Sequence, residues 1–351
     1  MNVSLYNMHF ATLGGGERRT AAIAAHLSPK HDVTLFVLVA AGIDRVRALF
    51  GIDLSRVRIV ELGPKDHLEE IRKFHPDLFI NNSYRSQLEC PARAGIYMCM
   101  FPDGDKFDLS SYDVITANSE FTASWIDIKW GYRSEVVYSA CELIGAGGPK
   151  TKTILNVARF FADMPTAHHK RQDVLVRTFR RMVDQGTRGW ELHLVGNVDP
   201  NAEARAFVDR LESSSRNYPI RISVGVDFER LRQEYRQASI YWHATGYSFD
   251  PEQNPSKQEH FGMSIIEAMS AGAVPMSFNA GGPRETIVSG SNGYLWNDPD
   301  ELVAQTRCLM EDPAAREAMA ARAIADSQKF GVGEFLARMD AIIARLTGTR
   351  L

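Results

Sequence analysis

Apolar and polar positions fall into short blocks along the chain, and the blocks recur in a fixed order. Val3–Met8 reads as a strand, Leu13-Gly14-Gly15-Gly16 turns the chain, and Glu17–Leu27 reads as an alanine-rich helix. Small side chains at Ala21, Ala22, Ala24 and Ala25 let that helix lie close against a sheet. The next block, Val33–Val39, is apolar almost throughout, the pattern of a strand covered on both faces. Arg58–Glu61, Leu78–Asn81, Gly95–Met100 and Val114–Thr116 are further candidate strands, with helical stretches between several of them. Such alternation predicts a parallel sheet with helices over both faces. A second series follows, with strands expected at Thr153–Arg159, Glu191–Val195, Ile220–Val224, Ile240–His243 and Val274–Phe278. The chain closes on a helix whose apolar stripe is Phe335, Leu336, Met339, Ile342, Ile343 and Leu346.

Between the two series lies Gly145-Ala146-Gly147-Gly148-Pro149, the strongest linker signal in the sequence. The expected organisation is two doubly wound α/β domains, 1–144 and 150–330, with 331–351 forming a helix that crosses back to the first. A length of 351 residues fits two domains better than one. A net charge of -3 with no basic half gives no field to attract nucleic acid. The four cysteines, Cys90, Cys99, Cys141 and Cys308, form no CxxC pair, which argues against a disulfide framework or structural zinc and fits a reducing cytoplasm. The N-terminus lacks a signal-peptide pattern, and the longest apolar run, Val33–Ile43, is too short to span a bilayer. A soluble protein is expected, with peripheral contact at the inner face of a membrane left open.

The chemistry concentrates in Gln258-Glu259-His260-Phe261-Gly262-Met263-Ser264-Ile265-Ile266-Glu267-Ala268-Met269-Ser270-Ala271-Gly272. A helix should start near Phe261–Gly262, and the backbone N–H groups of its first turn favour an anion. Glu259 lies just outside that start, and Glu267 lies about one turn beyond Met263, beside apolar Ile266 and Met269. A carboxylate in that setting needs donors, which two ribose hydroxyls would supply. Two solvated glutamates flanking a core helix are the plainer alternative.

Two carboxylates with seven residues between them, followed by Glu-Ala-Met-x-Ala-Gly, resemble the Glu-x7-Glu motif of retaining GT-B glycosyltransferases, in particular family 4. The resemblance runs on through Ala273-Val274-Pro275, Gly281-Gly282-Pro283-Arg284-Glu285-Thr286-Ile287 and Asn292-Gly293-Tyr294-Leu295. It implies two Rossmann-like domains facing across a cleft, with Glu259 at the donor sugar and Glu267 at the nucleotide ribose. His260, Phe261, Gly262 and Met263 would then line the donor site. On the resemblance alone, Glu259→Gln lowers turnover by orders of magnitude and leaves nucleotide affinity little changed. Asn156-Val157-Ala158-Arg159, with Lys170 after the insert Ala162–His169, resembles the family's pair of cations that clamp the donor diphosphate. Fixed cations suit a leaving group that gains negative charge. Either residue, taken alone, is more often a solvated surface charge.

Leu13-Gly14-Gly15-Gly16-Glu17 resembles the family's N-terminal glycine loop, placing Gly15 and Gly16 near the donor. It is not a dinucleotide fingerprint, because Arg19 stands where the third glycine belongs. Base recognition is expected from backbone around Val224–Val226. His243, at a strand end, either lines the donor pocket or is a satisfied core histidine. The chain departs from the family at Met98-Cys99-Met100-Phe101-Pro102-Asp103, which lacks the histidine of many relatives. His9 is the nearest substitute, and Asp103 either meets acceptor hydroxyls or belongs to a polar turn with Gly104. Ser119-Glu120-Phe121-Thr122 reads as a helix cap with Ser119 at the N-cap. No metal or cofactor is expected, because cations and a helix N-terminus replace the ion. The implied activity moves a hexose-type sugar from a GDP- or UDP-sugar to a glycan or lipid-linked acceptor in surface polysaccharide or glycolipid synthesis. An epimerase of the same fold, which would release a changed sugar nucleotide, and a non-catalytic nucleotide-binding subunit are the alternatives.

Overall fold

The computed structural model describes residues 1–64, 66–161 and 170–348. The chain divides into two compact units, Met1–Ala140 with Phe330–Leu351, and Cys141–Lys329. The first is built on β1 (Asn2–Tyr6), β2 (Asp32–Val37), β3 (Arg58–Glu61), β4 (Leu78–Asn81), β5 (Ala94–Cys99), β6 (Val114–Ala117) and β7 (Glu135–Val136). These strands pair in parallel in the order β3-β2-β1-β4-β5-β6-β7. The side chains of β1, β2, β4, β5 and β6 are buried on both faces almost throughout, whereas the edge strands β3 and β7 are half-open. Leu5, Leu35, Ile80 and Ile96 enter one core cluster, and Tyr6, Phe36, Phe79 and Tyr97 enter the other. Burial on both sides is why β2 and β5 show no polar alternation.

The closing helix, Val332–Thr347, belongs to this first unit. Phe335, Met339, Ile342 and Ile343 join Ala21, Ala24 and Leu27 in one cluster. Asp340 reaches His26 at 2.8 Å, and Arg345 pairs with Glu135. Replacing the fully buried Ile343 by Ala should cost the first unit about 2–5 kcal/mol, the range for opening a cavity in a packed core. Chemical denaturation, followed by the near-ultraviolet signal, measures it. Ser119 caps the helix Glu120–Trp130 as expected, accepting from the Thr122 N–H at 3.0 Å.

The second unit carries β8 (Thr151–Val157), β9 (Glu191–Gly196), β10 (Ile220–Val224), β11 (Ala238–His243), β12 (Val274–Phe278) and β13 (Tyr294–Trp296). Their order is β10-β9-β8-β11-β12-β13, again all parallel. It repeats the order of the first six strands of the other unit, although the two halves share no repeated sequence. Each unit therefore has a switch point, between β1 and β4 and between β8 and β11, where the order reverses. The carboxyl ends of strands at such a point open a crevice in which α/β sheets take ligands. The short β7 and β13 escape prediction because two or three residues carry no readable period.

The glycine cluster does not itself mark the division, which falls earlier, at Ala140 and Cys141. Ile144 is already buried in the second unit, its N–H donating to Ser270 Oγ at 2.9 Å. On the other side of the cluster, Lys150 Nζ donates to the carbonyls of Ala238 and Ala271 at 2.8 and 2.7 Å. Among the described residues no helix is long and apolar enough to cross a membrane.

Candidate active site

Of the residues expected at the donor, Lys170, His243 and Glu259 meet at the second unit's switch point. Asn156, near the end of β8, donates to the Trp242 carbonyl of β11 at 2.8 Å and binds the two strands together there. Arg159 lies just beyond β8 and His243 ends β11. Along β11, Trp242 and Ile240 enter the core beneath one face, while Tyr241 and His243 point to the other.

Glu259 sits at the far end of the loop after β11, and side chains from two other segments converge on its carboxylate. Lys170 Nζ approaches Oε2 at 2.7 Å, and His243 Nε2 approaches the same oxygen at 3.1 Å. The histidine is buried, and burial lowers its pKa against the opposing pull of Glu259. An ionised carboxylate only accepts, so it assigns the imidazole proton to Nε2. Nδ1 is then the acceptor for Ser277 Oγ, 3.3 Å away, and Thr245 Oγ1 lies 3.1 Å from Nε2. Lys170 follows the insert 162–169, which lies outside the described residues.

The backbone of Glu259 is held as firmly as its side chain. Its carbonyl accepts from the Gly282 N–H at 2.8 Å. A Cβ on Gly282 would stand 2.3 Å from the His260 carbonyl oxygen and 2.5 Å from Phe261 Cα. The Gly281-Gly282-Pro283 turn is thus the floor under Glu259, His260 and Phe261, and both of those neighbours are buried. Gly262 then takes φ +98, a left-handed conformation that suits glycine, and the helix Met263–Ser270 starts from it. Met263 is half-buried at the first helical position.

Glu267 lies on the next turn and accepts from Tyr235 Oη at 2.9 Å. The Tyr235 ring stacks on Tyr241, with centroids 6.2 Å apart and planes at 29°. Tyr241 Oη contacts Ser264 Oγ at 2.7 Å and the Val157 carbonyl at 3.1 Å. Burial drives the Tyr241 pKa up, so it remains a neutral donor. Two tyrosines therefore connect the carboxylate helix to β8 and β11. Arg159 is more open, a third exposed, with Asp199 3.4 Å away and the Phe161 ring 5.4 Å from its guanidinium. Val226 lies beyond edge strand β10, half-buried, after Gly225 at φ +69.

Gly15, Gly16, His9 and Asp103 belong to the first unit. Gly15 and Gly16 open the helix Gly15–Leu27, two residues ahead of the expected start. Glu17 Oε2 accepts from the Gly14 N–H at 2.8 Å and closes that turn. A Cβ on Gly16 would stand 2.4 Å from the Met100 methyl carbon, the end of a flexible side chain that can move aside. His9 is exposed. Asp103 accepts from Tyr84 Oη at 3.0 Å and from the Gly104 N–H at 3.1 Å, the polar-turn arrangement. Among the described residues no group of three or more His, Cys, Asp or Glu side chains is placed to hold a metal ion.

Sequence reasoning missed Tyr235, Tyr241, Thr245, Ser277 and Asp199. Only Tyr241 left a signal, since it and His243 alternate with Ile240 and Trp242 at the strand period.

The structure is similar to that of Anabaena HepE solved with UDP, with a TM-score of 0.75 and 16% identity over 98% of this chain and 100% of the other. It is also similar to sucrose-phosphate synthase from Thermosynechococcus elongatus, with a TM-score of 0.71 and 14% identity over 99% of each chain. Likenesses at this identity show the fold, two Rossmann-like domains of the GT-B type. Among curated proteins, a GDP-Man:Man(3)GlcNAc(2)-PP-Dol alpha-1,2-mannosyltransferase of Xenopus laevis is 28% identical over 56% of this chain and 40% of its own length. A D-inositol 3-phosphate glycosyltransferase of Kineococcus radiotolerans is 28% identical over 47% of this chain and 39% of its own. The chain thus spans about two fifths of the length of these relatives. The model of the family described as glycosyl transferases group 1 matches residues 148–326, which is 179 of 351 and includes Arg159, Lys170, His243, Glu259 and Glu267. With more than half of its residues matched, the chain belongs to the glycosyl transferases group 1.

Proposed function

We propose that this enzyme is a retaining, family 4 hexosyltransferase. It takes its sugar from GDP- or UDP-sugar and passes it to a glycan or lipid-linked acceptor in surface polysaccharide or glycolipid synthesis, working in the cytoplasm at the inner face of a membrane. The observation that carries the reading is the convergence of Lys170 and His243 on Glu259, beside the start of the helix that bears Glu267. Relatives named as GDP-mannose-dependent enzymes acting on a dolichol-linked glycan support a lipid-linked acceptor.

In this reading Glu267 holds the ribose hydroxyls and Glu259 acts on the sugar. Arg159, Lys170 and the helix N-terminus face the diphosphate. As the glycosidic bond breaks, those cations stabilise the charge gathering on the leaving phosphate. The leaving phosphate accepts the acceptor's proton on the same face, so the new bond keeps the anomeric configuration. No metal is required.

The test is incubation with GDP-mannose or UDP-glucose and a polyprenyl-diphosphate-linked sugar, with and without EDTA. Release of GDP or UDP matched by a new glycoside of unchanged anomeric configuration, at the same rate in EDTA, is the expected result. A changed sugar nucleotide with no diphosphate release would make the protein an epimerase. No turnover despite tight nucleotide binding would make it a binding subunit. Glu267→Ala should weaken nucleotide binding by about 1–3 kcal/mol, the worth of hydrogen bonds to a charged group. The same change should weaken 2′,3′-dideoxynucleotide binding far less, which calorimetric titration decides.

A further inference from the structure

The Lys170–Glu259 pair is better shielded than the cation it would be grouped with. The two side chains are 18% and 16% exposed and 2.7 Å apart, whereas Arg159 and Asp199 are 33% and 24% exposed and 3.4 Å apart. A charge pair that is both closer and less hydrated interacts more strongly than an exposed one. Lys170 thus has a carboxylate partner, and an ammonium turned toward a diphosphate must weaken or break that pairing. Arg159 faces a much smaller penalty.

We propose that Glu259 and the donor's diphosphate compete for the Lys170 ammonium, so that Glu259 governs diphosphate affinity as well as acting on the sugar. This rests on the reading of Lys170 as a diphosphate ligand. When the ammonium turns to the phosphates, Glu259 keeps the bond from buried His243, whose ring is set in turn by Ser277. His243 is therefore a positioning residue that keeps the carboxylate aimed while its cation changes partner. The exchange also limits product inhibition, because Glu259 reclaims Lys170 from the nucleoside diphosphate left after transfer. The sign is the opposite of an ordinary contact, since deleting the carboxylate's charge strengthens binding.

Calorimetric titration of UDP and GDP, with UMP and GMP alongside, tests this on the parent, Glu259→Gln, Glu259→Ala, Lys170→Met and the Lys170→Met, Glu259→Gln double variant. Both Glu259 variants should bind the preferred diphosphate about 5- to 30-fold more tightly, the scale of one partly shielded ion pair. The monophosphate should change much less, and its retained binding also shows that each variant is folded. In the Lys170→Met background the gain from Glu259→Gln should vanish. Unchanged or weaker diphosphate binding in both Glu259 variants, with Lys170→Met still weakening it, overturns the competition and leaves the site reading intact. A Lys170→Met variant that binds diphosphate like the parent overturns both.

Discussion

Glu259→Gln should lower kcat by about 100- to 1000-fold at saturating donor, the loss seen when one preorganised electrostatic group is removed from a transition state. The substitution is nearly isosteric, so the Gly282 N–H still reaches the residue's carbonyl and the loop keeps its course. What disappears is the negative charge at Oε2 that Lys170 and His243 both address. A neutral amide offers the sugar a weaker acceptor and leaves the ammonium without its carboxylate. The loss should appear in kcat with no rise in donor KM, because the carboxylate serves the reacting sugar and its removal only frees Lys170 for the diphosphate. Single-turnover kinetics with the competent sugar nucleotide measure it. A variant as fast as the parent would remove Glu259 from the chemistry.

Gly282→Ala should damage the same site from underneath. The residue has φ -59 and ψ -30, so alanine meets no left-handed strain there. The obstacle is space, since the new Cβ would meet backbone atoms of His260 and Phe261 at 2.3 and 2.5 Å. Backbone cannot swing aside as a flexible side chain does. Pro283 adds a second objection, because a residue before proline with a Cβ resists the helical conformation. The loop must move by roughly an ångström, a displacement that can cost about 100-fold in rate even without a change in chemistry. Overpacking should also lower stability by about 1–3 kcal/mol. Together, thermal melting and kcat/KM decide the point. A fully active, equally stable alanine variant would show that the turn is not the floor of the site.

Hydrophobic periodicity alone determined the architecture. The strands read as Val33–Val39 and Gly95–Met100 are legible because burial on both faces leaves almost no polar position, and the helices between them make the sheet parallel. The stripe Phe335, Met339, Ile342 and Ile343 likewise announced a helix needing a core, although which core it joins is a matter of packing. Glu259, Gly262 and Glu267 were singled out by the resemblance of their run to a family motif, which local spacing sets on one loop and one helix. Tertiary structure alone decided how they are held. Lys170 is 89 residues from Glu259, Tyr235 is 32 from Glu267, and Gly282 meets Glu259 from another turn. No periodicity connects such pairs, because strand order and not sequence distance brings their ends together at the switch point. The glycines show the same division. A run of three at Gly14–Gly16 suggests a ligand, and the atoms nearest a Cβ on Gly16 are the movable end of Met100. The meaning of Gly282 depends on a backbone passing 2.3 Å from where its Cβ would be. A missing side chain records only that space is short, and only the folded chain shows what fills it.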